Sequence, residues 1–335
     1  MVLKNNYPKL HIGGKTELAK HLSHKGFSKE EAQKLISNVL KNFDRYWKDN
    51  LKRSKPHEEK WVRSAKGTPL GFLLSKIDER LLAPSDELIP NYIFGGKRSS
   101  NHVFAVRHLQ GAKGKRTLLK LDLRRFFEQI TEDRVINLLV YKCGCSYKGA
   151  KLVARVCCVP FGKKGSNSSL RTIARGFSTS SRLAVWCSLG LFSKIDALIR
   201  ARLKGKDPRI AIYVDDIGVT ATKTKKSEML RLAYEIKDLV EKYKHPLLIN
   251  DDKREILRHD EGMEHLGIKM QRRGLFLGRK TQKKKGMLRA SLIKNISSSD
   301  RKKLKRRWIG ISQYERYVRS KNEKILPQGP RKNDS

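Results

Sequence analysis

An α+β fold is predicted for this 335-residue chain by three observations. Helical-period segments and short apolar strand-like segments alternate without the regular strand–helix repeat of a doubly wound sheet. One segment, IAIYVDDIGVTA, reads as two apolar strand halves around an acidic turn, which is the pattern of an antiparallel hairpin. Hydrophobic residues make up 38% of the chain, with 11 Phe, 10 Tyr and 4 Trp, enough to bury a core in two or three packed units despite 32% charged residues. Both ends are expected to fray.

Taken in order, residues 15–23 and 28–47 read as two helices. The second opens on Ser28-Lys29-Glu30-Glu31, where the serine and Glu31 suit a capping box. The segment ELAKHLSHKGFSKEEAQKLI also has the spacing of a helix-turn-helix, so DNA reading is an alternative to a plain helical hairpin. Residues 51–59, polar and basic around Pro56, form a connector, and composition turns core-like from Trp61. Helices are expected at 71–82, 132–139, 148–156, 179–203 and 227–243. Strands are expected at 117–123, in the hairpin 210–221, and at 247–250 and 265–270. From 272 onward Lys and Arg dominate, with Trp308, Tyr314 and Tyr317 interleaved. No internal repeat is evident.

The net charge is +42. Self-repulsion of that size destabilises a compact chain unless a polyanion compensates it, so the partner class is nucleic acid. No window approaches the roughly 18 to 20 apolar residues that span a bilayer, and MVLKNNYPKLHIGG has no apolar signal core. The chain reads as soluble and cytoplasmic. Cys143, Cys145, Cys157, Cys158 and Cys187 are odd in number and lack the C-x-x-C spacing of a zinc site, so they read as buried free thiols.

Acids are scarce in so basic a chain, and at two places they sit in apolar strand context. Asp122 follows Leu118-Leu119-Lys120-Leu121, and Asp215-Asp216 interrupts Ile212-Tyr213-Val214 and Ile217-Gly218-Val219. Adjacent carboxylates in such a setting resist desolvation and repel one another. They persist at a solvated turn or where a cation neutralises them, and Mg²⁺ with its oxygen ligands fits the second case. Carboxylates holding metal beneath a basic surface are what two-metal phosphoryl transfer on nucleic acid requires.

With these residues in view, LLKLDLRRFFEQI resembles motif A of reverse transcriptases, and YVDD resembles their motif C. GGKRSSNHVFAVRH is similar to a stretch of prokaryotic retron-type enzymes, with Phe104 where their Asn falls before Ala105 and His108. RGFSTSSRLAVWCSLGLFSKID looks like motif B, LLINDDKREIL like motif D and EHLGIKM like the primer-grip motif E. The likeness runs from about Trp61 to Lys294. It implies a right-hand polymerase: an N-terminal helical region at 1–55, fingers at 56–115, a palm with finger insertions at 116–270, and a basic helical thumb and tail at 271–335.

The resemblance also implies roles. Asp122 and Asp215 would bridge two Mg²⁺ ions, with Asp216 auxiliary and the Leu123 carbonyl completing a shell. Phe127 matches the steric gate that favours dNTPs. Arg175, Gly176 and Ser178 would line the nucleotide pocket, and Arg63, Lys66 and Arg98 are the candidates to grip the triphosphate. Lys253 is a candidate general acid for the departing pyrophosphate. Tyr213, His265, Leu266, Gly267 and Trp308 would meet primer or template. Two departures, Phe104 and His265-Leu266-Gly267 in place of Val-Thr-Gly, point to a divergent relative, such as the stand-alone bacterial enzymes of phage defence, rather than a true retron enzyme, while Arg175 and Ser181 in place of the motif B Gln and Ser-Pro bear on nucleotide selectivity and fidelity.

About 60 residues follow motif E, enough for a thumb and too few for an RNase H, integrase or endonuclease domain. The implied partners are dNTPs, a DNA primer or product, and a structured non-coding RNA carrying its template, with an effector protein in a defence setting and no membrane. Two further readings stay open: template-independent or protein-primed DNA synthesis, and an RNA-binding scaffold without catalysis.

Overall fold

The computed structural model describes residues 7–111, 115–271, 274–293 and 297–320. The expectation of frayed ends concerns 1–6 and 321–335, which lie outside the described residues, as does the last part of the basic tail. Helices α1 (Lys15–Leu22) and α2 (Lys29–Lys41) form an antiparallel pair. At the start of α2 the Ser28 hydroxyl accepts from Glu31 N and Glu31 accepts from Ser28 N, completing the capping box. The helix stops at Lys41 rather than 47, because Asn42 leaves helical φ and a single 3₁₀ turn follows.

Two-residue strands β1 (Lys48–Asp49) and β2 (Arg63–Ser64) pair antiparallel across the connecting residues 50–62. Helix α3 (Pro69–Lys76), capped by Thr68, runs into a π turn over Ile77–Leu82, so the predicted 71–82 helix is two helical types end to end. Helix α4 (His102–Gln110) has no counterpart among the sequence expectations. Asn101 caps it by accepting from Val103 and Phe104 N. Next come β3 (Arg116–Asp122), α5 (Glu132–Tyr141), α6 (Tyr147–Cys157), the short pair β4 (Cys158–Pro160) and β5 (Arg171–Ile173), and the long α7 (Ser180–Arg202). The hairpin β6 (Arg209–Tyr213) and β7 (Asp216–Thr222) leads to α8 (Lys226–Glu241), then β8 (Glu255–Arg258), β9 (Glu264–His265), β10 (Ile268–Gln271), β11 (Gly274–Leu277), and finally α9 (Arg279–Ile293) and α10 (Ser298–Ser320).

The main sheet is antiparallel in the order β6-β7-β3-β8. Strand alternation gives it two covered faces. Leu119, Leu121, Ile210, Ile212, Ile217 and Val219 enter the larger core, shared with α5 to α8 and the N-terminal helices. Leu118 and Ala211 enter a smaller core made with α4, the β9–β11 sheet and Val318 of α10. The fold is therefore α+β with small antiparallel sheets, as the hairpin pattern predicts.

Two predicted strands are corrected. Residues 247–250 make only one bridge, Ile249 to Leu123, because Pro246 supplies no donor and the neighbouring backbone is used to hold the end of β3. The 265–270 strand is split by a tight turn at Leu266-Gly267, where both residues have positive φ. The cysteines are free and mostly buried, and burial pushes Cys143, Cys157 and Cys187 up to about 12, so their thiols stay neutral. No helix among the described residues is long and apolar enough to cross a membrane.

Candidate active site

The register of β3 on β7 sets Asp122 opposite Asp216, and β7 on β6 sets Asp216 opposite Tyr213. Directly paired residues share a face, so these three project from one side at one end of the sheet. Val214 and Asp215 alone make the turn between β6 and β7. Val214 has φ +62°, a conformation that hairpin turns usually reserve for glycine and that a β-branched side chain resists. Its surroundings hold it there. Phe94 N donates to Ile212 O at 2.8 Å and Ile212 N donates to Tyr92 O at 2.9 Å, so residues 92–95 run along β6 as a backing. A Cβ built on Gly95 would lie 2.4 Å from Val214 N, so only glycine permits this approach. Leu123 N donates to Asp215 O at 2.8 Å, which ties the turn to the end of β3.

The segment after α8 crosses the same end. Arg124 N donates to Leu248 O and Asn250 N to Asp122 O, both at 2.8 Å. Lys253, in the 3₁₀ turn that follows, places Nζ 2.7 Å from Asp122 Oδ1, while Asn250 Nδ2 lies 3.4 Å from Oδ2. Burial first, then the charges of Asp215 and Asp122, push the Asp216 carboxyl up to about 7. Asp215 is also pushed up, mainly by burial. Burial works against the Lys253 ammonium, yet its bond to Asp122 and the fields of Asp215 and Asp216 outweigh this and raise its pKa.

Three carboxyls crowded in this way resist ionising together and are relieved by a cation. Their donors are hard oxygens, which suit Mg²⁺, an ion that takes one or two carboxylates and completes its shell with water and phosphate. Among the described residues no group of three or more His, Cys, Asp or Glu side chains is arranged to hold a metal ion.

The raised Asp216 carboxyl carries a stability prediction with a definite sign. Its folded value, about 7, exceeds the ordinary 3.8, so the folded state binds the proton more tightly than the unfolded state does. That contribution is full below about pH 4 and is lost as pH rises through about 7. In EDTA, the melting temperature of Asp216→Asn should therefore gain on that of the native chain as pH goes from 5 to 8. Parallel melting curves at both pH values would remove this account of Asp216.

Phe127 is buried beyond the end of β3, in a 3₁₀ turn (Phe126–Gln129) entered through Arg125 at φ +50°. Arg175 lies over its ring and pairs with Glu128. Gly176, at φ +104°, sits where a Cβ would fall 2.5 Å from Arg63 O, and Ser178 is exposed on the turn into α7. The structure thus brings Arg175, with the Phe127 ring beneath it, within the field of Asp215 and Asp122, and Gly176 and Ser178 into the turn that follows. Of the three triphosphate candidates, one is committed to structural contacts. Arg63 is 4% exposed, pairs with Asp49, donates to Gly162 O and lies 5.2 Å from the centroid of the Trp47 ring. Its fork is spent on holding β1–β2 to residues 160–162. Lys66 and Arg98 are exposed, and the Arg98 backbone N donates to Asp86 at 2.8 Å.

His265 is 1% exposed, and neither ring nitrogen meets a hydrogen-bond partner among the described residues. Burial, then Lys120, lowers it to about 3, so the ring is neutral. It packs against Gly218 of β7, where a Cβ would lie 2.9 Å from Nε2, so it seats the β9–β10 hairpin on the acid-bearing face. Leu266 is half-buried and Gly267 exposed in the turn beyond it. Trp308 is half-buried in α10, with Lys285 of α9 5.6 Å from its ring centroid. Tyr314 and Tyr317 dock α10: the Tyr314 hydroxyl lies 2.6 Å from His102 Nε2, and Asn101 donates to the Tyr317 hydroxyl at 2.7 Å. The His102 ring meets Tyr213 edge-on at 6.1 Å, linking α10 to the acidic turn.

Sequence reasoning passed over Gly95, Glu128, Asn250 and His102 as site residues. Gly95 alone carried a local signal, the Gly-Gly that begins GGKRSS. A scan against protein-family models finds no match for the chain, and no curated protein matches it significantly.

Proposed function

We propose that this chain is an RNA-directed DNA polymerase of right-hand architecture. In this reading β6-β7-β3-β8 is the palm, the segments around β1–β2 and α3 are fingers, and α9–α10 is the thumb. One observation carries it: Asp122, Asp215 and Asp216 meet at one end of an antiparallel sheet, crowded enough to hold a proton near neutrality, in a chain of +42 charge. A half-buried acidic cluster in so basic a molecule, with Asp122 itself buried, is costly unless it serves a cation. Asp122, Asp215 and the Leu123 carbonyl would hold two Mg²⁺ ions, with Asp216 auxiliary. Bound there, Mg²⁺ lowers the pKa of a primer 3′ hydroxyl and neutralises triphosphate charge.

The chain's own residues do the rest. Phe127 lies under the incoming sugar and excludes a 2′ hydroxyl. The Lys253 ammonium, protonated at neutral pH and 52% exposed, is placed to give a proton to departing pyrophosphate. Tyr213 and the His265-Leu266-Gly267 turn flank the primer end, and Trp308 with the basic face of α9–α10 meets template. The charge suits a structured non-coding RNA as template, and the resemblance places the activity in antiphage defence or a retroelement, with an effector protein as a further partner.

The test is labelled dNTP incorporation in Mg²⁺ by protein purified with its retained nucleic acid, with and without RNase. Incorporation that needs the RNA, and product complementary to it, supports the reading. Incorporation surviving RNase replaces it with template-independent synthesis, and none at all favours an RNA-binding scaffold.

A further inference from the structure

Phe127 is held by two neighbouring groups. Its ring is 7% exposed, with the Phe126 ring centroid 5.9 Å away in a tilted contact and the Arg175 guanidinium carbon 4.7 Å from its centroid. The guanidinium is itself fixed, since Arg175 Nε and Nη2 each lie 3.0 Å from the two oxygens of Glu128. Both partners are largely out of water, with Glu128 10% and Arg175 21% exposed. A two-pronged arginine–carboxylate pair sets the plane as well as the position of the guanidinium. Further back, Arg175 O accepts from Arg63 N at 2.6 Å, and Arg63 is anchored on Asp49.

Glu128 directly follows Phe127, so one carboxylate constrains both the backbone beside the ring and the cation over its face. Its negative charge also compensates Arg175, whose fork is then committed and does not offer a free grip for a triphosphate. This accounts for the arginine in motif B: an uncharged side chain of glutamine's shape could neither stack as a cation on Phe127 nor match Glu128 with two parallel donors.

We propose that the Glu128–Arg175 pair is a specificity-positioning clamp that sets discrimination between deoxyribose and ribose by pinning the Phe127 ring. The proposal rests on the polymerase reading given above. Glu128 touches no substrate and acts through Arg175 and Phe127. A sugar gate works by excluding one oxygen atom, so a ring free to withdraw by about an ångström no longer excludes it, and displacements of that size are worth up to about 100-fold in rate.

The experiment is single-nucleotide extension of a DNA primer on an RNA template by the full chain, comparing kcat/KM for dCTP and CTP. Glu128→Gln and Arg175→Lys should each lower the dCTP:CTP ratio by about 10-fold, mainly through a rise for CTP, with dCTP losing less than about 3-fold. Phe127→Ala should lower it further, and Phe127→Ala with Glu128→Gln should be no lower than Phe127→Ala alone, because the clamp acts only through the ring. Equal losses for both nucleotides, or additive effects in the double variant, overturn the clamp and leave the polymerase reading standing. If Glu128→Gln does not fold, Arg175→Lys, which keeps the charge, decides by the same ratio. No incorporation of either nucleotide by the native chain, on supplied templates or on its retained RNA, overturns the polymerase reading and the clamp with it.

Discussion

Asparagine at Asp122 or Asp215 is expected to lower nucleotide incorporation by at least about 10³-fold while leaving the protein folded and bound to RNA. The substitution keeps the shape of the side chain and removes one charge. At Asp215 the lost charge is one that burial already disfavours and that raises the pKa of its neighbour Asp216. The variant should therefore melt no lower than the native chain, and in EDTA somewhat higher. At Asp122 the substitution removes the partner of Lys253 Nζ, an ion pair whose lysine is half exposed, so the effect on stability should be small. An activity loss of about 10³-fold corresponds to about 4 kcal/mol of transition-state stabilisation. Taken with an unchanged or raised melting temperature, it marks residues kept for chemistry at the expense of stability. Incorporation within about tenfold of native in either variant would show that these acids do not carry the reaction. Asp260→Asn, on the exposed turn after β8, is the matched control and should change neither quantity.

How much of this was legible in the sequence depended on the range of the interaction. The acids were readable because each signal is local: an Asp at the end of Leu-Leu-Lys-Leu, and a pair of Asp between two apolar strand halves. The α2 capping box was readable for the same reason. Helix α4 was not, because its apolar residues share no single stripe: it is wedged between the sheet, β10 and α10, and its N-cap Asn101 hides in the run Ser-Ser-Asn. Strand β8 was obscured by its charged ends, since Glu255 and Arg258 suit an edge strand exposed at its margins. The Glu128–Arg175 pair joins residues 47 apart, and the Asp122–Lys253 contact joins residues 131 apart. No periodicity encodes such pairs, and the resemblance supplied Arg175 only as a departure from an expected Gln. The two tyrosines of α10 could have served bases or core, and it took the contacts to Asn101 and His102 to show them docking the helix.

The same dependence on long-range contact gives the second large effect, at a residue with no functional group. A methyl on Gly95 would meet Val214 N at 2.4 Å, Val214 Cγ2 at 2.6 Å and Tyr213 C at 3.0 Å. Two of the three atoms are backbone of the acidic turn, so relief requires the turn to move by about an ångström, and Asp215 moves with it. Gly95→Ala should cost about 1–3 kcal/mol of stability as overpacking, leaving a folded protein at 25 °C. Its kcat should fall by about 100-fold, the scale expected when a catalytic group is displaced that far. Gly310→Ala in α10, where a Cβ meets nothing within 4 Å, should leave kcat unchanged. Adding Val214→Gly to Gly95→Ala separates displacement from general destabilisation. Glycine at 214 removes the Cγ2 collision and relaxes the φ +62° backbone, yet Val214 N still opposes the new methyl, so about tenfold of the loss should return rather than all of it. Full recovery would place the obstruction in the valine side chain alone. No recovery, with kcat tracking melting temperature across the set, would mean that Gly95 supports the fold and not the position of Asp215.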